Sequence, residues 1–71
     1  MNEYVIVRFS TKRKVFVDGE DVGWTQEVLT LERGTHRIDL GQPLNYTPSF
    51  RRMKVVNTNL AEPREVLFEK A

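Results

Sequence analysis

Val15-Phe16-Val17-Asp18-Gly19-Glu20-Asp21-Val22-Gly23-Trp24 is the stretch that decides the fold. Val15 and Val17 fall on one face, with Lys14, Phe16 and Asp18 on the other. Asp18-Gly19 ends that run, and Val22 starts the return. Gly19 has no Cβ and takes positive φ freely, as a tight turn demands. Two short alternating runs about such a turn read as a β-hairpin.

The same period of two extends outward in both directions. Val5, Val7 and Phe9 oppose Tyr4, Ile6 and Arg8. Leu29 and Leu31 alternate with Val28, Thr30 and Glu32. His36, Ile38 and Leu40 share one face, as do Met53 and Val55, and then Val66 and Phe68. Such alternation marks half-buried strands. Glu32-Arg33-Gly34 reads as a second, three-residue hairpin loop closed by Gly34. Gly41, Pro43, Asn45, Pro48 and Ser49 mark a longer loop, and Asn57 to Arg64, with Pro63, is a second irregular connection. No window carries a capped 3.6-period apolar stripe, so no substantial helix is expected. The pattern predicts one all-β domain over residues 1–71, a small antiparallel β-sandwich of about six to seven short strands. Tyr4, Ile6, Phe16, Val56 and Leu67 are apolar residues on the second faces. Loops cover them, or they form a contact patch.

A chain of 71 residues buries only about 60% of its unfolded surface. It has no cysteine, which removes disulfides and thiolate zinc sites. Small domains without such reinforcement often rely on a neighbour or a second copy, so self-association is an expected partner mode. Eleven basic and ten acidic residues leave a net charge of +1, with no global pull toward nucleic acid or anionic membrane. No apolar run nears the ~20 residues that span a bilayer, so membrane insertion is not expected. The N-terminus lacks a signal-peptide pattern, because Arg8 cuts the run Val5-Ile6-Val7 and no small-residue cleavage site follows. As written the chain reads as cytoplasmic. Excision from a longer exported protein would put it in the periplasm or at the cell surface instead.

Val15 to Gly19, Val22 to Thr25, then Leu29, Leu31, Gly34, His36, Ile38 and Leu40 spell V-x-V-D-G, V-G-x-T, L-x-L and G-x-H-x-I-x-L. This order resembles the PEGA domain family. Val5-Ile6-Val7 with Ser10-Thr11 matches its first strand and Ser/Thr turn, and Met53 to Val56 a later strand. The resemblance implies a small β-sandwich module of bacterial and archaeal surface proteins, often repeated or attached to other domains. It implies a role in interaction or spacing rather than catalysis.

Each candidate site also has a plain structural role open to it. Trp24 is the only tryptophan. With Tyr46 and nearby Phe50 it could form an aromatic platform for a protein partner or a cell-wall carbohydrate. The competing accounts make Trp24 a cap on the core and Tyr46 an anchor for its loop. His36 lacks metal-ligand spacing and reads as a hydrogen-bonded structural histidine. Asp18, Glu20 and Asp21 gather at one turn without calcium-loop spacing. Lys12-Arg13-Lys14 and Arg51-Arg52-x-Lys54 are the basic clusters. If folding joined them, they would suit phosphates, nucleic acid or an acidic partner. Otherwise they guard strand edges. No nucleophile, acid–base pair or metal set has recognisable spacing, so no catalytic residue, metal or cofactor is assigned. The expected function is a non-catalytic structural or protein-interaction module. Trp24, Tyr46, Arg51 and Arg52 are its candidate binding residues, with carbohydrate or weak nucleic-acid binding as alternatives.

Overall fold

Alternation of apolar and polar residues produces sheets throughout. The computed structural model describes residues 2–71. Its strands are β1 (Asn2–Arg8), β2 (Lys14–Val17), β3 (Glu20–Trp24), β4 (Val28–Glu32), β5 (Gly34–Asp39), β6 (Tyr46–Thr47), β7 (Arg51–Val55), β8 (Arg64–Leu67) and β9 (Glu69–Lys70). They form a three-stranded sheet ordered β4-β1-β8, a four-stranded sheet ordered β3-β2-β5-β7, and a two-stranded ribbon, β6-β9. The described residues contain no helix, and so none long and apolar enough to cross a membrane.

One core lies between the two larger sheets. Val5, Val7, Leu29, Leu31 and Val66 reach it from the three-stranded sheet, and Val15, Val17, Ile38 and Val55 from the four-stranded sheet. Each sits at a position that the alternation assigns inward. Phe9, Leu40 and Phe68, just beyond the ends of β1, β5 and β8, and Tyr46 of β6 complete the same cluster. The radius of gyration, 11.1 Å, matches the ~11 Å of a compact domain this long. The architecture is therefore all-β, with sheets packed in sandwich fashion. Ile6, on the second face of β1, is 8% exposed and lies beside Ala61 and Pro63 of the irregular connection.

The Asp18-Gly19 hairpin forms as read. Both turn residues have positive φ, 52° and 84°, the pair that a two-residue type I′ turn requires. Val17 pairs directly with Glu20 across it. Farther along, Phe16 faces Asp21 and Val15 faces Gly23, so Val22 is an extra residue in β3. This is a β-bulge, and it turns Trp24 outward beside Lys14.

Three features depart from the sequence reading. Glu32-Arg33-Gly34 does not close a hairpin. β4 pairs with β1, whereas β5 pairs with β2 and β7, so the chain crosses here from one sheet to the other. Alternating pattern plus a glycine signals a reversal, but cannot say whether the two strands hydrogen-bond to each other. Second, β8 lies parallel to β1, so the three-stranded sheet is mixed rather than wholly antiparallel. Third, there are nine strands among the described residues rather than six or seven. Two of them, β6 and β9, are two residues long and too short to show periodicity.

Candidate functional site

Tyr46 and Trp24 do not form a common platform. Tyr46 is 5% exposed and packs edge-on between Phe9 and Phe68, with ring centroids 6.1 and 5.5 Å away. Its hydroxyl accepts from Leu40 N–H at 3.2 Å and donates to Gly41 C=O at 2.9 Å. It is the loop anchor of the competing account. Trp24 is half-buried, and its ring has Lys12 Nζ at 4.7 Å and Lys14 Nζ at 4.4 Å. Two ammonium groups over the π face make Trp24 a cation–π centre.

Arg13, between those lysines, serves the fold. Its guanidinium donates to the carbonyls of Leu40, Gly41 and Pro43 and to Asn45 Oδ1, and it lies 5.2 Å from the Tyr46 ring. It thereby ties the 40–45 loop to the start of β2. Thr25 closes the same end. Its hydroxyl accepts from Arg13 N–H and donates to Thr11 C=O, while its own N–H donates to Arg13 C=O.

The acidic turn is dispersed. Asp21 pairs with Lys14 at 3.0 Å and accepts from Gly23 N–H. Asp18 turns to β5, where Oδ1 accepts from Arg37 N–H at 3.0 Å and Oδ2 lies 2.6 Å from His36 Nδ1. The Arg37 N–H and then His36 hold the Asp18 carboxyl below its ordinary range. His36 Nε2 lies 2.6 Å from Glu32 C=O. Both ring nitrogens thus face acceptors, and only the imidazolium has two protons to give. Asp18 is the main cause of the raised His36 pKa. The pair joins the β2–β3 turn to β5 and to the Arg33 crossing. Glu3 plays a similar structural part at the same end of the molecule, level with Leu31. It accepts from Thr58 Oγ1 and N–H at 2.6 and 2.8 Å, which lowers its pKa and pins the connection after β7. Among the described residues no three potential metal ligands gather.

The two basic clusters are not brought together. Val17 is level with Ile38, and Ile38 with Arg51. β2 and β7 run the same way, since each is antiparallel to β5. Lys14 is three residues before that level and Lys54 three beyond it. They are therefore some six residues apart along the strands, roughly 20 Å, and two strands apart, roughly 10 Å.

The fold instead gives Arg51-Arg52 a companion that the linear sequence conceals. Arg37 on β5 stands directly opposite Arg52 on β7. Arg37 also lies 4.3 Å over the ring of Phe50, itself 40% exposed. Among the described residues neither the Arg37 nor the Arg52 guanidinium has a carboxylate oxygen within 4.0 Å, although the Arg37 backbone N–H is bonded to Asp18. They line an open groove of about 500 Å³ with Asp18, Gly19 and Asp39, whose carboxylates already accept backbone N–H groups. Lys54 extends the charge along β7, and Arg51 donates to Leu67 C=O at 2.7 Å. Like charges opposed across a strand pair destabilise a sheet. An anionic partner would reverse that penalty. No family model, curated protein or solved structure matches the chain.

Proposed function

We propose that the chain is a non-catalytic structural and protein-interaction module that engages an acidic, extended segment along β7. The observation that carries this reading is the cross-strand pair Arg37–Arg52, whose guanidinium groups have no ion-pair partner among the described residues, beside exposed Phe50 on an open sheet edge. Such an edge can add a strand through its backbone, and the arginines supply selectivity for acidic side chains. The V-x-V-D-G and G-x-H-x-I-x-L likeness to PEGA modules supports the same role. A non-catalytic reading fits the site chemistry too, because Glu3 is held by Thr58, and Asp18 and His36 bond to backbone groups and to each other. Carbohydrate binding loses its platform with Tyr46 in the core.

The test is titration of isotope-labelled protein with an extended peptide alternating acidic and β-branched residues. Amide shifts are expected at Arg37 and from Phe50 to Lys54, and their loss in Arg37→Glu/Arg52→Glu. No shifts at low salt, or equal shifts in the variant, would refute the reading. Nucleic-acid binding is the second reading, favoured by the exposed aromatic beside these arginines. It requires a single-stranded oligonucleotide to move the same amides with steep salt dependence.

A further inference from the structure

The four-stranded sheet ends in two open strands of opposite charge. β3 carries Glu20 and Asp21, and β7 carries Arg51, Arg52 and Lys54. Each neighbouring pair in the sheet is antiparallel, so β3 and β7 run in opposite directions. A second copy brought up by translation therefore presents its β3 antiparallel to β7, and the alternation continues unbroken.

Side chains match across that junction. Asp21 is opposite Phe16 and Trp24 opposite Lys14, which puts both on the outer face of the sheet. Arg52 and Lys54, opposite Arg37 and Thr35, occupy the same outer face. Val22 and Met53, at the two edges, are both partly buried against the core. If the bulged pair Val22-Gly23 sits against Met53, Asp21 meets Lys54 and Trp24 meets Arg52. The junction then holds an apolar contact inside, while outside Lys54 shares the Asp21 carboxylate with Lys14 and Arg52 joins the lysines around Trp24. The symmetric alternatives set acid on acid or base on base, a device that deters edge pairing.

We propose that the sheet adds a second copy of this chain head to tail, the acidic β3 of one copy on the basic β7 of the next. This rests on the interaction reading above and names the acidic segment that it requires. The contact is heterologous, so it leaves one free edge of each sign and can repeat. It also extends the thin core of a small domain.

Sedimentation equilibrium of the full chain, from micromolar to millimolar, tests this. At low salt the mass should rise above the monomer with concentration, and raising the salt to about 0.5 M should weaken association at least ~10-fold. Glu20→Lys/Asp21→Lys and Arg52→Glu/Lys54→Glu should each lose self-association. Mixing the two variants should restore it, because acid again faces base, and a misfolded variant could not be rescued so. A monomer at every concentration, or association indifferent to either reversal, overturns the proposal. If the monomer still shows the peptide-induced shifts, only self-pairing falls; without those shifts, the interaction reading falls with it.

Discussion

Asp18 takes one turn position and two bonding roles. Its φ of 52° forms the hairpin, one carboxylate oxygen accepts from Arg37 N–H, and the other meets His36. The histidine pKa is raised from 6.5, so its stabilising effect is complete below 6.5 and is lost as pH rises through the folded value. The Asp18 pKa is lowered from 3.8, so its effect is complete above 3.8 and is lost as pH falls through the folded value. The pair therefore supports the fold best between about pH 4 and 6.5. The Arg37 backbone N–H and the charge of Arg52 also favour the Asp18 anion. His36 ring protons followed by NMR should titrate with a midpoint above 6.5, and Asp18→Asn should lower it while keeping the turn, since asparagine tolerates positive φ. A wild-type midpoint at or below 6.5 would contradict this. His36 was legible as structural from its isolation in sequence. Its partner was not, because Asp18 is 18 residues away and meets it only through the pairing of β2 with β5.

At the scale of elements, the crossing at Arg33-Gly34 decides how the sheets divide. Gly34 has φ of 137°, a conformation closed to most residues, yet open space surrounds the position of an added Cβ. Gly34→Ala therefore acts through backbone strain alone, about 1–3 kcal/mol. The melting midpoint should fall by at least ~4 °C in circular dichroism. An unchanged midpoint would mean that the crossing relaxes without strain. This glycine, at the end of an alternating run, is legible in the sequence as a point of chain reversal. The local pattern cannot supply the pairing, because β4 meets β1 and β5 meets β2 and β7 through long-range register.

Over the whole molecule, one tyrosine links elements remote in sequence. Tyr46 holds Phe9, Phe68 and the Leu40-Gly41 backbone around one ring. Tyr46→Ala should cost about 3–5 kcal/mol, a large part of the ~4–10 kcal/mol available to a domain of this size. It should leave the chain largely unfolded at 37 °C. Tyr46→Phe keeps the ring contacts and strands Leu40 N–H, at about 1–3 kcal/mol. Thermal melts of the two should therefore differ widely. Equal melts would show that the hydroxyl, not the ring, carries the effect.

The local sequence determined which residues face inward, where the Asp18-Gly19 turn falls, and that the chain is all-β. Those features depend on side-chain alternation and on backbone freedom at single positions, both encoded within a few neighbouring residues. Only tertiary structure decided that Tyr46 is core, that Arg13 is a staple, that β8 joins β1 in parallel, and that Arg37 stands beside Arg52. Each depends on which strands become neighbours, and that choice is made by burial of the whole apolar face at once rather than by any short stretch.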